Sequence, residues 1–175
     1  QCAQPVTVGA GQTSTLQYTV TVASPGSTPS IVDTVTSSVG TCTTCVVSTD
    51  TQRADMQATV TVAPGNTSTT GVELTYTSIC KNNGPQSAIN ASCAVTAPAG
   101  AVTTCTPTTP AATLASGSSI TCTTKLTPGA TGDYAVSVAT SNTLYDAATG
   151  NNSATTTVKV NTPAALRIVK SLAQV

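Results

Sequence analysis

The chain has 175 residues, 39% of them hydrophobic but only 7% charged, with six basic groups balancing six acidic ones. That balance excludes the clustered Lys and Arg that phosphate binding requires, so nucleic acid is not an expected partner. No apolar run reaches the roughly 18–20 residues of a membrane-spanning helix. With no His and no paired carboxylate motif, the usual acid–base and nucleophilic machinery is missing, and neither enzymatic activity nor a cofactor is expected.

Period-two alternation recurs along the chain, and no segment of ten residues carries a helical period. The first alternating strand has Leu16, Tyr18, Val20 and Val22 on one face, with polar residues between them. A leading strand at 56–62 follows, and then Val72, Leu74, Tyr76 and Ser78 alternate in the same way. Further strands are expected at 120–126, 134–138 and 156–160. Turn chemistry separates them: Pro25-Gly26, Pro64-Gly65, Asn83-Gly84-Pro85, Pro128-Gly129 and Gly150-Asn151-Asn152. Val and Thr supply much of the strand material, and the only aromatics are Tyr18, Tyr76, Tyr134 and Tyr145. Many short strands between such turns predict an all-β sandwich.

The chain also repeats itself. V-T-V-G-A-G-Q-T-S-T, beginning at Val6, matches V-T-V-A-P-G-N-T-S-T, beginning at Val60, and an alternating strand follows each. S-I-V-D-T, beginning at Ser30, then runs parallel to A-I-N-A-S, beginning at Ala88. Residues 1–54 read as an incomplete sandwich unit, 55–161 as a complete one, and 162–175 as a linker and further strand.

The stretch L-T-Y-T-S-I-C-K-N-N-G-P-Q-S-A-I-N-A-S-C-A-V-T-A-P-A-G from Leu74, with L-T-P-G-A from Leu126 and G-N-N-S-A-T-T-T-V-K-V from Gly150, resembles the domain of unknown function 11 repeat. That resemblance implies immunoglobulin-like sandwich modules of prokaryotic surface and secreted proteins, and it assigns no chemistry. Members of that family open on a strand of the form A-D-L-x-V-x-K. Its counterpart here is A-L-R-I-V-K-S-L-A-Q-V, at the far end of the chain, where Leu166, Ile168, Val169, Leu172 and Val175 carry the apolar positions. Joined to Gln1, this segment reads as the missing first strand of unit one.

The reading that follows is a homopolymer. The tail of one subunit donates its strand to the groove along Leu16, Tyr18, Val20 and Val22 of the next, building a head-to-tail extracellular filament. Two alternatives stand beside it: a piece of a tandem-repeat surface adhesin, and a tail folding back into its own first unit.

Seven cysteines point to disulfides and an oxidising, secreted or cell-surface location, and a chain opening on Gln reads as one already processed for export. The expected pairs are Cys105 with Cys122, Cys80 with Cys93, and Cys42 with Cys45. Cys2 is left free or linked between subunits, and its pairing with Cys42 or Cys45 is an open alternative. No metal site is expected, because Asp133, Asp146, Asn151 and Asn152 follow no cation-loop spacing and read as turn residues. Asn66, Asn90 and Asn151 each begin an N-x-S/T triplet and are candidate carriers of covalent glycans. Tyr134, following L-T-P-G-A-T-G-D, resembles a tyrosine corner.

Overall fold

The computed structural model describes residues 6–15, 30–34 and 46–165. Within them the alternating segments form strands β1 (Ser30–Thr34), β2 (Val46–Asp50), β3 (Met56–Ala63), β4 (Thr67–Thr69), β5 (Leu74–Asn82), β6 (Ala88–Thr96), β7 (Val102–Thr106), β8 (Ala111–Leu114), β9 (Ser119–Leu126), β10 (Gly132–Ser141) and β11 (Ser153–Asn161). A single 3₁₀ turn, Thr149–Asn151, is the only helical element among the described residues.

β3 to β11 make two facing sheets. One runs β3-β5-β9-β7, and the other β4-β11-β10-β6-β8. Every neighbouring pair is antiparallel except β4, which lies parallel to β11 at the edge. Two sheets joined in this way constitute an immunoglobulin-like β-sandwich.

Each strand buries alternate residues because successive side chains point to opposite faces of the pleat. β5 turns Leu74, Tyr76, Ser78, Cys80 and Asn82 inward, and β9 turns Ile120, Cys122, Thr124 and Leu126 inward. The core has two clusters. One gathers Met56, Cys80, Cys93, Leu114, Ile120, Cys122 and Val138, and the other gathers Leu74, Tyr76, Val136, Val158 and Val160. Half-buried Val60 and Val95 touch both clusters. Among the described residues Tyr76 is the one fully buried aromatic.

The solvent face of the four-stranded sheet is ruled in threonine. Thr61, Thr77, Thr123 and Thr104 form one rank across all four strands by their registers. Cross-strand threonine pairs of this kind add packing and hydrogen bonding without an apolar patch.

Three details differ from the sequence expectation. β4 and β8 are not among the expected strands; they are three and four residues long, with too little apolar material to signal a strand. β5 begins at Leu74 rather than Val72, because Gly71 (φ +83°) turns the chain and Val72 donates its N–H back to Thr69. β10 and β11 are longer than expected, since their ladder runs on from Gly132–Val160 at one end to Ala139–Ser153 at the other.

β1 and β2 form a separate two-stranded ladder, registered Ser30 to Asp50 and Thr34 to Val46. By the internal repeat, β1 corresponds to the start of β6, and β2 pairs with it as β8 pairs with β6.

Candidate functional site

Two disulfides brace the sandwich. Cys80 on β5 and Cys93 on β6 join the two sheets through the core, with Cα atoms 5.7 Å apart and sequence separation 13. Cys105 and Cys122 face each other directly on β7 and β9, with Cα atoms 4.0 Å apart. Both are among the pairings expected from sequence. At the opposite end, the Tyr134 hydroxyl donates to the Ala130 carbonyl at 3.0 Å, which is the corner foreseen for it. Tyr76, buried behind, donates to the Tyr134 carbonyl at 2.9 Å, and burial pushes its phenol pKa above the usual value.

The N-N-G-P motif has a structural reason that sequence reading missed. Asn82 is fully buried, and its Nδ2 donates to the carbonyls of Gln86 (2.8 Å) and Leu114 (2.9 Å) while its Oδ1 accepts the Gly84 N–H (2.9 Å). Its backbone bonds Ser118 and Gly117. One amide thereby ties the end of β5 to the β5–β6 turn, to β8 and to the loop before β9. Gly84, at φ +90°, passes so close to Ser116 that a Cβ would meet its Oγ at 2.2 Å.

A second polar cluster lies at the start of β3. Asp146 accepts the Met56 N–H at Oδ2 and the Ala148 N–H at Oδ1, both at 2.9 Å. Asn151 donates from Nδ2 to Asp55 Oδ1 at 3.1 Å. The amide oxygens of Asn151 and Asn152 are buried and have no hydrogen-bond partner. Asp146 therefore does make a turn, as expected, but it also clamps a strand 90 residues away. Asp133 stands apart from this cluster, exposed on β10 opposite Lys159. Among the described residues, no three His, Cys, Asp or Glu gather in one place.

Of the triplet asparagines, Asn66 and Asn90 are exposed, Asn90 with φ +50°, whereas Asn151 is half-buried with its Nδ2 held by Asp55. Cys2, Cys42, Cys45, the groove residues Leu16, Tyr18, Val20 and Val22, and the tail residues Leu166, Ile168, Val169, Leu172 and Val175 lie outside the described residues.

What is described of unit one differs from its counterpart. Val60 and Val62 are half-buried in β3, but the repeat-equivalent Val6 and Val8 belong to no strand and are each 48% exposed. Val32 and Val46, on one face of the β1–β2 ladder, are 58% and 56% exposed. β6 has β10 on its far side, while β1 has no second partner strand among the described residues.

No protein-family model matches the chain, and no curated protein matches it. Among solved structures, it is similar to the CARDB domain of a Pyrococcus furiosus protein crystallised in complex with di-metal ions, at 17% identity and TM-score 0.46, covering 63% of this chain and 96% of that one. A solution structure of the same CARDB domain gives 19% identity and TM-score 0.43 over 62% of this chain and 97% of that one. Domains 4 and 5 of the S-layer protein SbsC give 15% identity and TM-score 0.36, over 66% of this chain and 50% of that one.

Proposed function

We propose that this chain is the structural subunit of an extracellular filament, in which residues 165–175 of one subunit complete the first sandwich unit of the next. The observation that supports this most directly is the contrast between repeats. Val60 and Val62 are half-buried in the complete sandwich, whereas Val6, Val8, Val32 and Val46 remain about half exposed among the described residues of unit one. An added strand carrying Leu166, Ile168 and Val169 would supply a further ladder and apolar cover. Each main-chain hydrogen bond so formed is worth roughly 0.5–1.5 kcal/mol net.

In this reading residues 1–54 accept the strand, 55–161 form the spacer sandwich, and 162–175 reach the neighbour. The disulfides of the spacer fit an oxidising, extracellular setting. The outer face of its four-stranded sheet offers threonine ranks rather than aromatic anchors, which suits a spacer better than a receptor binder. Covalent sugar, if the cell adds it, would sit on exposed Asn66 and Asn90. The tandem arrangement of two related units supports a second reading, a fragment of a tandem-repeat surface adhesin.

Electron microscopy of the purified full chain, beside a variant lacking residues 165–175, tests the proposal. Filaments from the full chain and dispersed particles from the truncated one are expected. A synthetic peptide of residues 165–175 should block growth by occupying the groove. Filaments that persist without residues 165–175 would refute strand donation.

A further inference from the structure

We propose that β7 is a lateral docking edge, which pairs antiparallel with β7 of a second copy of this chain about a twofold axis at Thr104. β7 ends the four-stranded sheet and has β9 as its one neighbour strand among the described residues. Cys105 and Cys122 stand opposite each other with Cα atoms 4.0 Å apart. That is the closer spacing of a pair that exchanges no main-chain hydrogen bonds, as against about 5.5 Å for a pair that does. Antiparallel ladders alternate between the two kinds, so Thr103 and Cys105 both turn their N–H and C=O groups away from β9.

This outward row is bounded at both ends. Ala101 gives its N–H to the Pro98 carbonyl, and Pro107 has no N–H to give. The strand therefore offers the outward donors of Thr103 and Cys105. An antiparallel copy centred on Thr104 sets Thr103 opposite Cys105 and Cys105 opposite Thr103, and each of these pairs exchanges both of its main-chain bonds. A slip of two residues either way carries the pairing past the end of β7, onto Ala101 or Pro107.

The side chains suit the same register. V-T-T-C-T carries no charge, so nothing in the strand repels its own copy. Natural edges are kept from pairing by brevity, Pro or Lys. β4 and β8 follow that rule, with three and four residues and with Pro110 directly before β8, whereas β7 has no such guard within it. The twofold axis sets Thr104 against Thr104, so the rank of Thr61, Thr77, Thr123 and Thr104 runs on into the second copy. Val102, at 68% the most exposed large hydrophobic among the described residues, comes opposite Thr106 of that copy and gains cover.

A contact made by one short strand is small, so a single pair is weak, and contacts repeated along a polymer add by multivalency. That consequence, side-by-side joining of filaments, rests on the filament reading; the edge contact itself does not.

Thr104→Cys in the full chain tests the axis, since position 104 is exposed and faces outward. Under oxidised glutathione, a peptide map should show the two introduced thiols linked between copies, with the Cys105–Cys122 bridge intact. Thr61→Cys, exposed in the same rank on β3 at the opposite edge of the sheet, should give no such link. Thr104→Lys and Thr104→Glu each set a like charge against itself. Each variant alone should keep the wild-type Tm and lose lateral association in sedimentation velocity, and an equimolar mixture of the two should regain it. No link from position 104, an equal link from position 61, or wild-type association by the Lys variant alone would overturn the edge contact. The link forms between dispersed chains as well as between filaments, so its outcome is separate from that of strand donation.

Discussion

The replacement of Asn82 by Ala is the sharpest test of how the sandwich is held together. The side chain is fully buried and makes three hydrogen bonds, at 2.8, 2.9 and 2.9 Å. Truncation leaves the Gln86 and Leu114 carbonyls and the Gly84 N–H without that partner. Each orphan costs roughly 1–3 kcal/mol when water cannot replace the amide. The expected loss is therefore about 3–9 kcal/mol, a large part of the roughly 5–15 kcal/mol that holds a typical domain together. Urea unfolding of the disulfide-intact chain, followed by circular dichroism, should show a lower midpoint at unchanged slope. Asn82→Asp separates hydrogen bonding from volume. The buried carboxyl faces two carbonyls, so its folded pKa is raised, and it is tolerated better below the unfolded value of about 3.9 than at neutrality. That variant should be more stable relative to wild type at pH 3 than at pH 7. A loss below about 1 kcal/mol for the Ala variant, or no pH dependence for the Asp variant, would refute the claim that this amide pins the end of β5.

Removing either disulfide by paired Cys→Ala changes should cost about 3 kcal/mol from loop closure alone, since the separations of 13 and 17 differ little. The Cys80–Cys93 pair should cost more on denaturant titration, because both its sulfurs leave a buried cavity, whereas Cys105 is only half-buried. Tyr76→Phe should destabilise by about 1–2 kcal/mol, leaving the Tyr134 carbonyl without its donor. Because burial raises the folded pKa of Tyr76, its contribution is full below about pH 10 and is lost as pH climbs through the higher folded value. Alkaline unfolding should therefore shift in the Phe variant, as followed by ultraviolet absorbance. Gly84→Ala should cost about 1–2 kcal/mol for its positive φ. Adding Ser116→Gly should recover only the part due to the Ser116 contact.

Much of the sandwich was legible because its signal is local. Alternation in β5 and β9 marks which side chains face inward, and Thr and Val mark them as strands rather than helices. Turn dipeptides such as Pro64-Gly65 and Pro128-Gly129 punctuate them. The Cys80–Cys93 and Cys105–Cys122 pairs were legible too, since their strands are close in sequence. β8 was not, because four residues with a single buried leucine carry no period. The polar cluster at Asp55 was not either. Asp146 and Asn151 look like turn residues, and nothing nearby in the chain announces their partners, Met56 at the start of β3 and Asp55 just before it.

The sequence by itself determined the all-β class and the inward faces of the longer strands such as β5 and β9, because the pleat imposes its period on neighbouring residues. The tertiary structure alone decided what the polar residues do. Asn82 became the tie between β5, β8 and the loop before β9, and Asp55 met Asn151 across 96 residues. Both outcomes rest on buried groups needing partners, and the partners were selected by which loops the two sheets bring to the same end.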